Sequence, residues 1–550
     1  APLLPLLLAV ALGWGFIRSA APTYDEAVHL ASGYSYLATG RYRLNIMDHP
    51  PLAEMWAALP LLAWRPHLLS STPDWELSRV YHYSDLFLNR NKVPGERMMN
   101  AGRLFCLLSW TLLIGGGVWA WSLSLGGRGA AFFSALSFAL TPALVSNLSL
   151  VTTDGASAAF FFLTFLFLSV EDRTKTVWAA AGACAGLALA SKFNMALLGP
   201  MVLAGVLADH ALRPKPRPPF PYTGLFLFGL CAFLALAAVY RFGQFGLYWE
   251  GLRATWQRLG EGRSSFLHGH YSIEGSLTYF PIAFAIKTPL PLLGAGVIAI
   301  ILWVKGQGGE ITAGAGPRRR YLGVLFPMTV YFLAALTAKV QIGIRHLLPM
   351  MPFFVLASGW GLSRLWAKGR LGAAAAALLC LWTAASVLRT QPFLLAYFNE
   401  AVGGPSNGRH WLADSNLDWG QDLKTLAREL AAEGNPPIYL SYFGTADPAA
   451  YGLRYVPVAF SANVERIGDA VDPSLTGRVL FAVSATNLQC VYFADKTLFD
   501  WLKSRAPLKA PGGSIFLYDL SSDAEGKRSL ARLLALSGRD PGLFGKRLLE

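Results

Sequence analysis

Two adjacent acids, Asp25 and Glu26, stand in "APTYDEAVHL" after an apolar run of almost twenty residues that ends in Arg18. A carboxylate held at a bilayer surface is partly desolvated, which raises its pKa toward the range useful to a general base. Asp25 fits that use. Acids also suit the positive start of a helix, and "EAVHLASGYSYLATG" reads as one, so capping explains the pair as well. The two uses are compatible, with Glu26 supporting the helix start and fixing Asp25, and both acids, with Asp154, are candidate catalytic residues expected at one site. Asp154, in "SLVTTDGASAAF", is a second carboxylate at the outer end of an apolar block. It reads either as a cap residue beside Thr152 and Thr153 or as an acid facing Asp25 across the bundle mouth.

Cations gather in the neighbouring outer segments. Lys192 interrupts an apolar pair, Arg258, Arg263 and Lys287 flank "HGHYSIEG", and Lys339, Arg345 and His346 fall in "AKVQIGIRHLLPMMPF". Outer cations run against the tendency of Lys and Arg to stay inside. A phosphate bound at headgroup level accounts for them, with Arg giving bidentate contacts; snorkelling is the plainer account. In "NIMDHPPLAEMW" the prolines hold Asp48 and His49 in a rigid turn. His268 and His270 form an HxH pair that needs a third ligand to hold a divalent metal, and Asp48 or Glu54 would supply it. "DSNLDWGQDL" (414–423) imitates a calcium loop, but Trp419 replaces the required Gly and Thr425 the bidentate Glu. It reads instead as a hydrogen-bonded turn leading into a helix.

These residues need a frame, and composition points to a membrane. Of 550 residues, 54% are hydrophobic and 15% charged, against roughly 25% charged in average chains. The apolar excess comes in blocks, read as eleven spans near 2–18, 101–122, 130–149, 155–170, 177–191, 194–209, 223–240, 287–304, 321–338, 347–363 and 371–389. With the N-terminus inside, the inner loops hold Arg128, Arg173, Lys175, Arg213, Lys215, Arg217, Lys305, Arg318, Arg319, Arg320, Arg364, Lys368 and Arg370. Merging the pair split only by "SKFN" would turn the later basic loops outward, so eleven is preferred. "RSAAP" also fits a signal-peptide cleavage site, and cleavage there would still leave Asp25 outside.

This topology places 19–100, 241–286 and 390–550 on the outer face. The first is expected to lie along the membrane surface. Residues 1–389 then form a transmembrane domain and 390–550 an extracytoplasmic α/β domain. In the latter, "DLKTLARELAAEG" and "KTLFDWLKS" read as helices, and "PIYLSYF", "RVLFAVS" and "GSIFLYDL" as strands. The five cysteines form no disulfide framework or CxxC pattern. The net charge of +14 lies largely in short loops, with no nucleic-acid module. Span middles lack Asp, Glu, Lys and Arg, which counts against an ion-coupled transporter. A flippase for lipid-linked sugars and a non-catalytic scaffold with a sensing C-terminal domain are the alternatives.

Taken in order, "TYDE", "DHPPL", "TTDG", "HGHYSIEG" and "RHLLP" resemble GT-C glycosyltransferases of the protein O-mannosyltransferase and aminoarabinose-transferase type. "SNLDWGQDL" resembles the C-terminal domain of bacterial phospholipid-carrier-dependent members. The resemblance implies an inner-membrane enzyme moving a sugar from a polyprenyl-phosphate donor to an extracytoplasmic protein, lipid or glycan acceptor, with inversion. It implies Asp25 as base, Asp154 as the second acid, and no nucleotide cofactor. It also implies a divalent metal at Asp48 and His268, with His49 standing where relatives carry Lys. A lipid-phosphate leaving group needs charge stabilisation more than protonation, for which Lys192, Arg263, Lys287, Arg345, His346 and His49 are the candidates.

Overall fold

The computed structural model describes residues 3–170, 172–213, 215–305, 321–458, 473 and 477–536. Arg318, Arg319 and Arg320 of the basic inner loops lie outside the described residues. Among those described, four helices are long and apolar enough to cross a membrane, or up to six if each of two bent pairs is one span. That is fewer than eleven, because other apolar helices, such as Leu3–Ser19 (α1) and Lys175–Leu189, fall short of the ~20 residues a span needs.

Breaks in these helices place the polar residues. The helical run Gly95–Ala139 has 45 residues, about 68 Å at ~1.5 Å per residue and twice the bilayer hydrocarbon. It is interrupted at Gly127, whose φ of 73° lies in the left-handed region. The "SKFN" interruption is also real: Lys175–Leu189 ends before Lys192, and a 3-10 turn at Phe193–Leu197 leads into Leu198–Ala211. Pro142–Leu148 meets Thr153–Leu168 at 114°, and Tyr279–Lys287 meets Leu290–Val304 at 112°. The first bend carries Asp154 into the opening turn of its helix.

The helix after the acidic pair, Glu26–Thr39 (α2), is buried at every residue from Glu26 to Tyr36 rather than lying on a surface. It packs against Leu52–Ala58 (α3) and Val80–Asn89. The C-terminal part also grips the chain that enters α2. Ala21 N donates to Gln421 O (2.7 Å), Tyr24 N to Trp419 O (2.9 Å), and Thr445 Oγ1 to Tyr24 O (2.9 Å).

Two sheets are present among the described residues. Ser265–Leu267 (β1) and His270–Ser272 (β2) form an antiparallel hairpin. Ile438–Ser441 (β3), Tyr455–Pro457 (β4), Leu480–Ser484 (β5) and Ile515–Asp519 (β6) form a sheet ordered β4-β3-β5-β6. β3 runs parallel to β4 and β5, and β5 antiparallel to β6. Strand alternation splits this sheet into two apolar faces. Tyr439, Phe481, Val483 and Phe516 join a core continuous with the helices, while Ile438, Leu440, Leu480 and Leu517 share a core with Leu423 and Leu426 of the helix Leu423–Ala431. Strand β4 was not foreseen, and "KTLFDWLKS" is helical only at Asp500–Lys503.

Candidate active site

A cavity of about 430 Å³ brings Asp25, His49, Lys192, Arg263, Arg345 and His346 together from five chain segments. Its volume suits a small-molecule site, within ~300–1,000 Å³. Arg345 organises it. Its Nη1 lies 3.5 Å from Asp154 Oδ2 and 3.8 Å from Asp25 Oδ2. The guanidinium carbon sits 4.1 Å from the ring centre of Trp419, and Nε donates to Ser415 Oγ at 3.0 Å. Ser415 Oγ donates to Ile342 O at 2.8 Å. Gly343 permits this approach, since a Cβ there would fall 2.2 Å from Ser415 Oγ.

Asp154 is 1% exposed and is held from its other side by Lys192 Nζ at 2.5 Å. Its carboxylate thus does not line the cavity but lies buried behind Lys192 and Arg345, which do, and Thr152, two residues earlier, caps nothing with its side chain. Asp25 differs. It occupies the cap position of α2 without a side-chain cap bond, and its side chain remains 28% exposed to the cavity. Arg258 and Arg263 add cations to the wall; Arg258 pairs with Asp48 at 2.6 Å, and Arg263 lies 5.0 Å from the Tyr492 ring centre.

Beneath Asp25 is a buried polar network that the motifs did not reveal. His29 Nδ1 is 2.8 Å from Glu54 Oε1, Asn45 Nδ2 donates to the same oxygen at 2.6 Å, and the His29 and His49 rings meet edge to face at 4.9 Å. Burial disfavours a charged His29, but the hydrogen bond and charge of Glu54, with Asp25 and Asp154 beyond, raise its pKa overall. Burial, His29 and Lys192 hold His49 well below the ordinary imidazole range. His49 therefore lines the cavity as a neutral ring near pH 7 rather than as a cation. His29 was legible in principle, four residues after Asp25 and so on the same helical face.

Three expectations need correction. Glu26 does not line the cavity: it is fully buried and accepts from Arg103 Nε (2.8 Å) and Nη2 (2.5 Å), Thr23 N (2.8 Å) and Val151 N (2.9 Å). Lys287 is 3% exposed and outside the cavity, donating to Leu395 O (2.8 Å) and Asn416 O (2.5 Å), so it braces the chain beneath the site. The metal set also fails to assemble. Asp48 faces Arg258 in this cavity, His268 stacks on Trp411 in another, and His270 lies beyond it in β2. Among the described residues no three His, Cys, Asp or Glu side chains are grouped to hold a metal. The calcium-like stretch is buried, with Asp418 accepting from Thr486 N at 2.8 Å, and it supplies Ser415 and Trp419 to Arg345.

Among the described residues, four to six helices are apolar and long enough to cross a membrane, a polar, cation-walled cavity lies beside them, and a four-stranded mixed sheet shares their core. Residues 92–238 match the family described as dolichyl-phosphate-mannose-protein mannosyltransferase. That stretch contains Asp154 and Lys192 but not Asp25 or Arg345. No curated protein sequence matches the chain. Among solved structures, ArnT from Cupriavidus metallidurans bound to undecaprenyl phosphate is similar at a TM-score of 0.48 and 15% identity, over 94% of this chain and 97% of that one. The Archaeoglobus fulgidus oligosaccharyltransferase in its apo form is similar at 0.46 and 13%, over 72% and 55%. AglB from the same organism, in complex with an inhibitory peptide and a dolichol-phosphate, gives 0.44 and 13%, over 78% and 58%. Likeness at this level locates no residue of the site.

Proposed function

We propose that the protein is an integral-membrane glycosyltransferase that moves a sugar from a polyprenyl-phosphate donor to an acceptor hydroxyl on the extracytoplasmic side. The observation that carries this reading is Arg345 poised between the open carboxylate Asp25 and the buried, Lys192-paired Asp154. The donor phosphate would meet Arg345, Arg263 and Lys192, which neutralise the charge that grows as it leaves. The acceptor oxygen attacks the anomeric carbon from the opposite side, and a new C–O bond forms with inversion. The old C–O bond breaks, its electron pair leaves with the polyprenyl phosphate, and the acceptor proton passes to Asp25. Asp154 and Asp25 favour the positive charge that develops on the sugar ring. The residues present do not fit the metal that the family resemblance implied, and no step uses one.

The test is transfer of radiolabelled sugar from polyprenyl-phosphate donors to protein, lipid and glycan acceptors by the purified protein. Asp25→Asn is expected to lower transfer by about 10²–10⁴-fold, the range for a lost general base, with donor binding largely intact. Full activity in that variant would remove Asp25 as base.

A further inference from the structure

A second cavity, of about 480 Å³, opens between the β1–β2 turn and segments near residues 409 and 496. Its charged lining is Arg409, Lys496 and Lys503 against Asp500 alone, with His268 and His410 adding imidazoles. Lys503 and Asp500 satisfy each other at 2.8 Å. The other two cations are held by uncharged groups. Lys496 Nζ donates to Val491 O (2.8 Å) and Cys490 O (3.1 Å) and lies 5.0 Å from the Tyr271 ring centre. The Arg409 guanidinium lies 4.4 Å from the Phe516 ring centre, with Nε 3.3 Å from His410 Nε2. Among the described residues neither has a carboxylate within ion-pair distance, so two fixed positive charges share a cavity whose one lining carboxylate, Asp500, is taken by Lys503.

The rim is also built rather than loose. His268 has a φ of 47°, a left-handed conformation unusual for a residue with a side chain. It is kept there because its N donates to Trp411 O at 2.9 Å and its ring stacks on Trp411 at 4.3 Å between centres. Tyr271, on the opposite strand, donates its hydroxyl to Gln489 O at 2.7 Å. Planar faces beside fixed cations suit a sugar ring that carries an anion.

Both walls run on into the candidate active site. Arg263 lines the first cavity and His268, five residues later, lines the second. Likewise His410 lines the second cavity, and Ser415, five residues later, holds Arg345. Five extended residues reach at most ~17 Å, so one molecule of a few sugar units could touch both.

We propose that this second cavity binds a phosphate-bearing sugar of the acceptor, gripping the anion with Lys496 and Arg409 while the acceptor hydroxyl reaches Asp25. The acceptor role rests on the glycosyltransferase reading; the anion site does not. Glucose 6-phosphate is titrated, by saturation-transfer NMR, into the full chain in phosphatidylcholine nanodiscs, with glucose as the neutral control. Glucose 6-phosphate is expected to bind at least about tenfold more tightly than glucose, and Lys496→Gln or Arg409→Gln to remove about that preference. Lys496→Arg and Arg409→Lys should retain it, which separates charge from misfolding, and Arg345→Gln should retain it too. Binding indifferent to Lys496 and Arg409, or lost equally in Arg345→Gln, would overturn the site. Displacement by nanodiscs that contain phosphatidylglycerol would assign the cavity to a lipid headgroup and overturn the acceptor role. Because binding is read without turnover, failure of sugar transfer leaves the anion site standing, whereas loss of the site leaves the transfer assay of Asp25 untouched.

Discussion

Asp25 and Glu26 are neighbours in sequence and opposites in environment, which makes a paired substitution informative. Glu26 is fully buried, and its carboxylate accepts from Arg103, Thr23 N and Val151 N. Arg103, equally buried, also donates to Ala20 O (2.9 Å) and Ala21 O (2.8 Å), so this pair ties α1, α2 and two further segments together. Glu26→Gln preserves the shape and leaves a buried guanidinium without its counter-charge, which costs about 3–5 kcal/mol. Asp25 is part-exposed and contacts Arg345 at 3.8 Å, an ion pair of a kind that contributes about 0–1 kcal/mol. Buried Cys106, one turn beyond Arg103, supplies the assay. The detergent-purified chain is heated with a maleimide dye that fluoresces when buried thiols become accessible. Glu26→Gln is expected to lower the apparent unfolding temperature by several degrees and Asp25→Asn to leave it unchanged. Glu26→Gln combined with Arg103→Met should recover part of the loss, because the orphaned charge goes with its partner. Equal stability of Glu26→Gln and the parent protein would refute the clamp, and equal damage by Asp25→Asn would refute the separation of the two acids.

Two further outcomes are expected. Arg345→Lys replaces a planar fork by a point charge and cannot reproduce the contacts to Asp25, Asp154, Ser415 and Trp419 together; transfer should fall at least about tenfold with a raised donor KM, and unchanged kinetics would refute the phosphate role. Burial pushes Asp418 and Asp422 up to about 7 despite hydrogen bonds from Thr486, Ser514 and Gln421 that oppose it. Their unfolded values lie near ~3.9, so the folded state retains protons between these limits. The stability they contribute is complete below pH ~4 and is lost as pH rises through about 7. Unfolding followed from pH 5 to 8 should show declining stability, flattened in Asp418→Asn and Asp422→Asn; a rise over that window would contradict the assignment.

The sequence made α2, the "SKFN" break and strands β3, β5 and β6 legible because apolar periodicity and helix-breaking residues are local signals. It also pointed to Asp25, Asp154, Lys192, Arg263 and Arg345, since charges at the ends of apolar blocks stand out. It did not separate Arg345 from Lys287. Both are cations beside apolar helices, yet one faces a cavity and the other donates to backbone carbonyls. The HxH pair misled for the same reason, as spacing in a hairpin says nothing about where a third ligand lies.

By itself, then, the sequence determined the apolar helices, most strands of the small C-terminal sheet and which charges sit at helix ends, because these follow from composition and period along the chain. Tertiary structure decided which of those charges meet. Glu26 went to Arg103 and Asp25 to Arg345, although one peptide bond separates them, because successive helical residues point about 100° apart. The same packing turned "DSNLDWGQDL" from a calcium-like loop into the buried support of Arg345. Contacts between residues hundreds of positions apart are set by how breaks, bends and covering strands converge, and no local pattern records them.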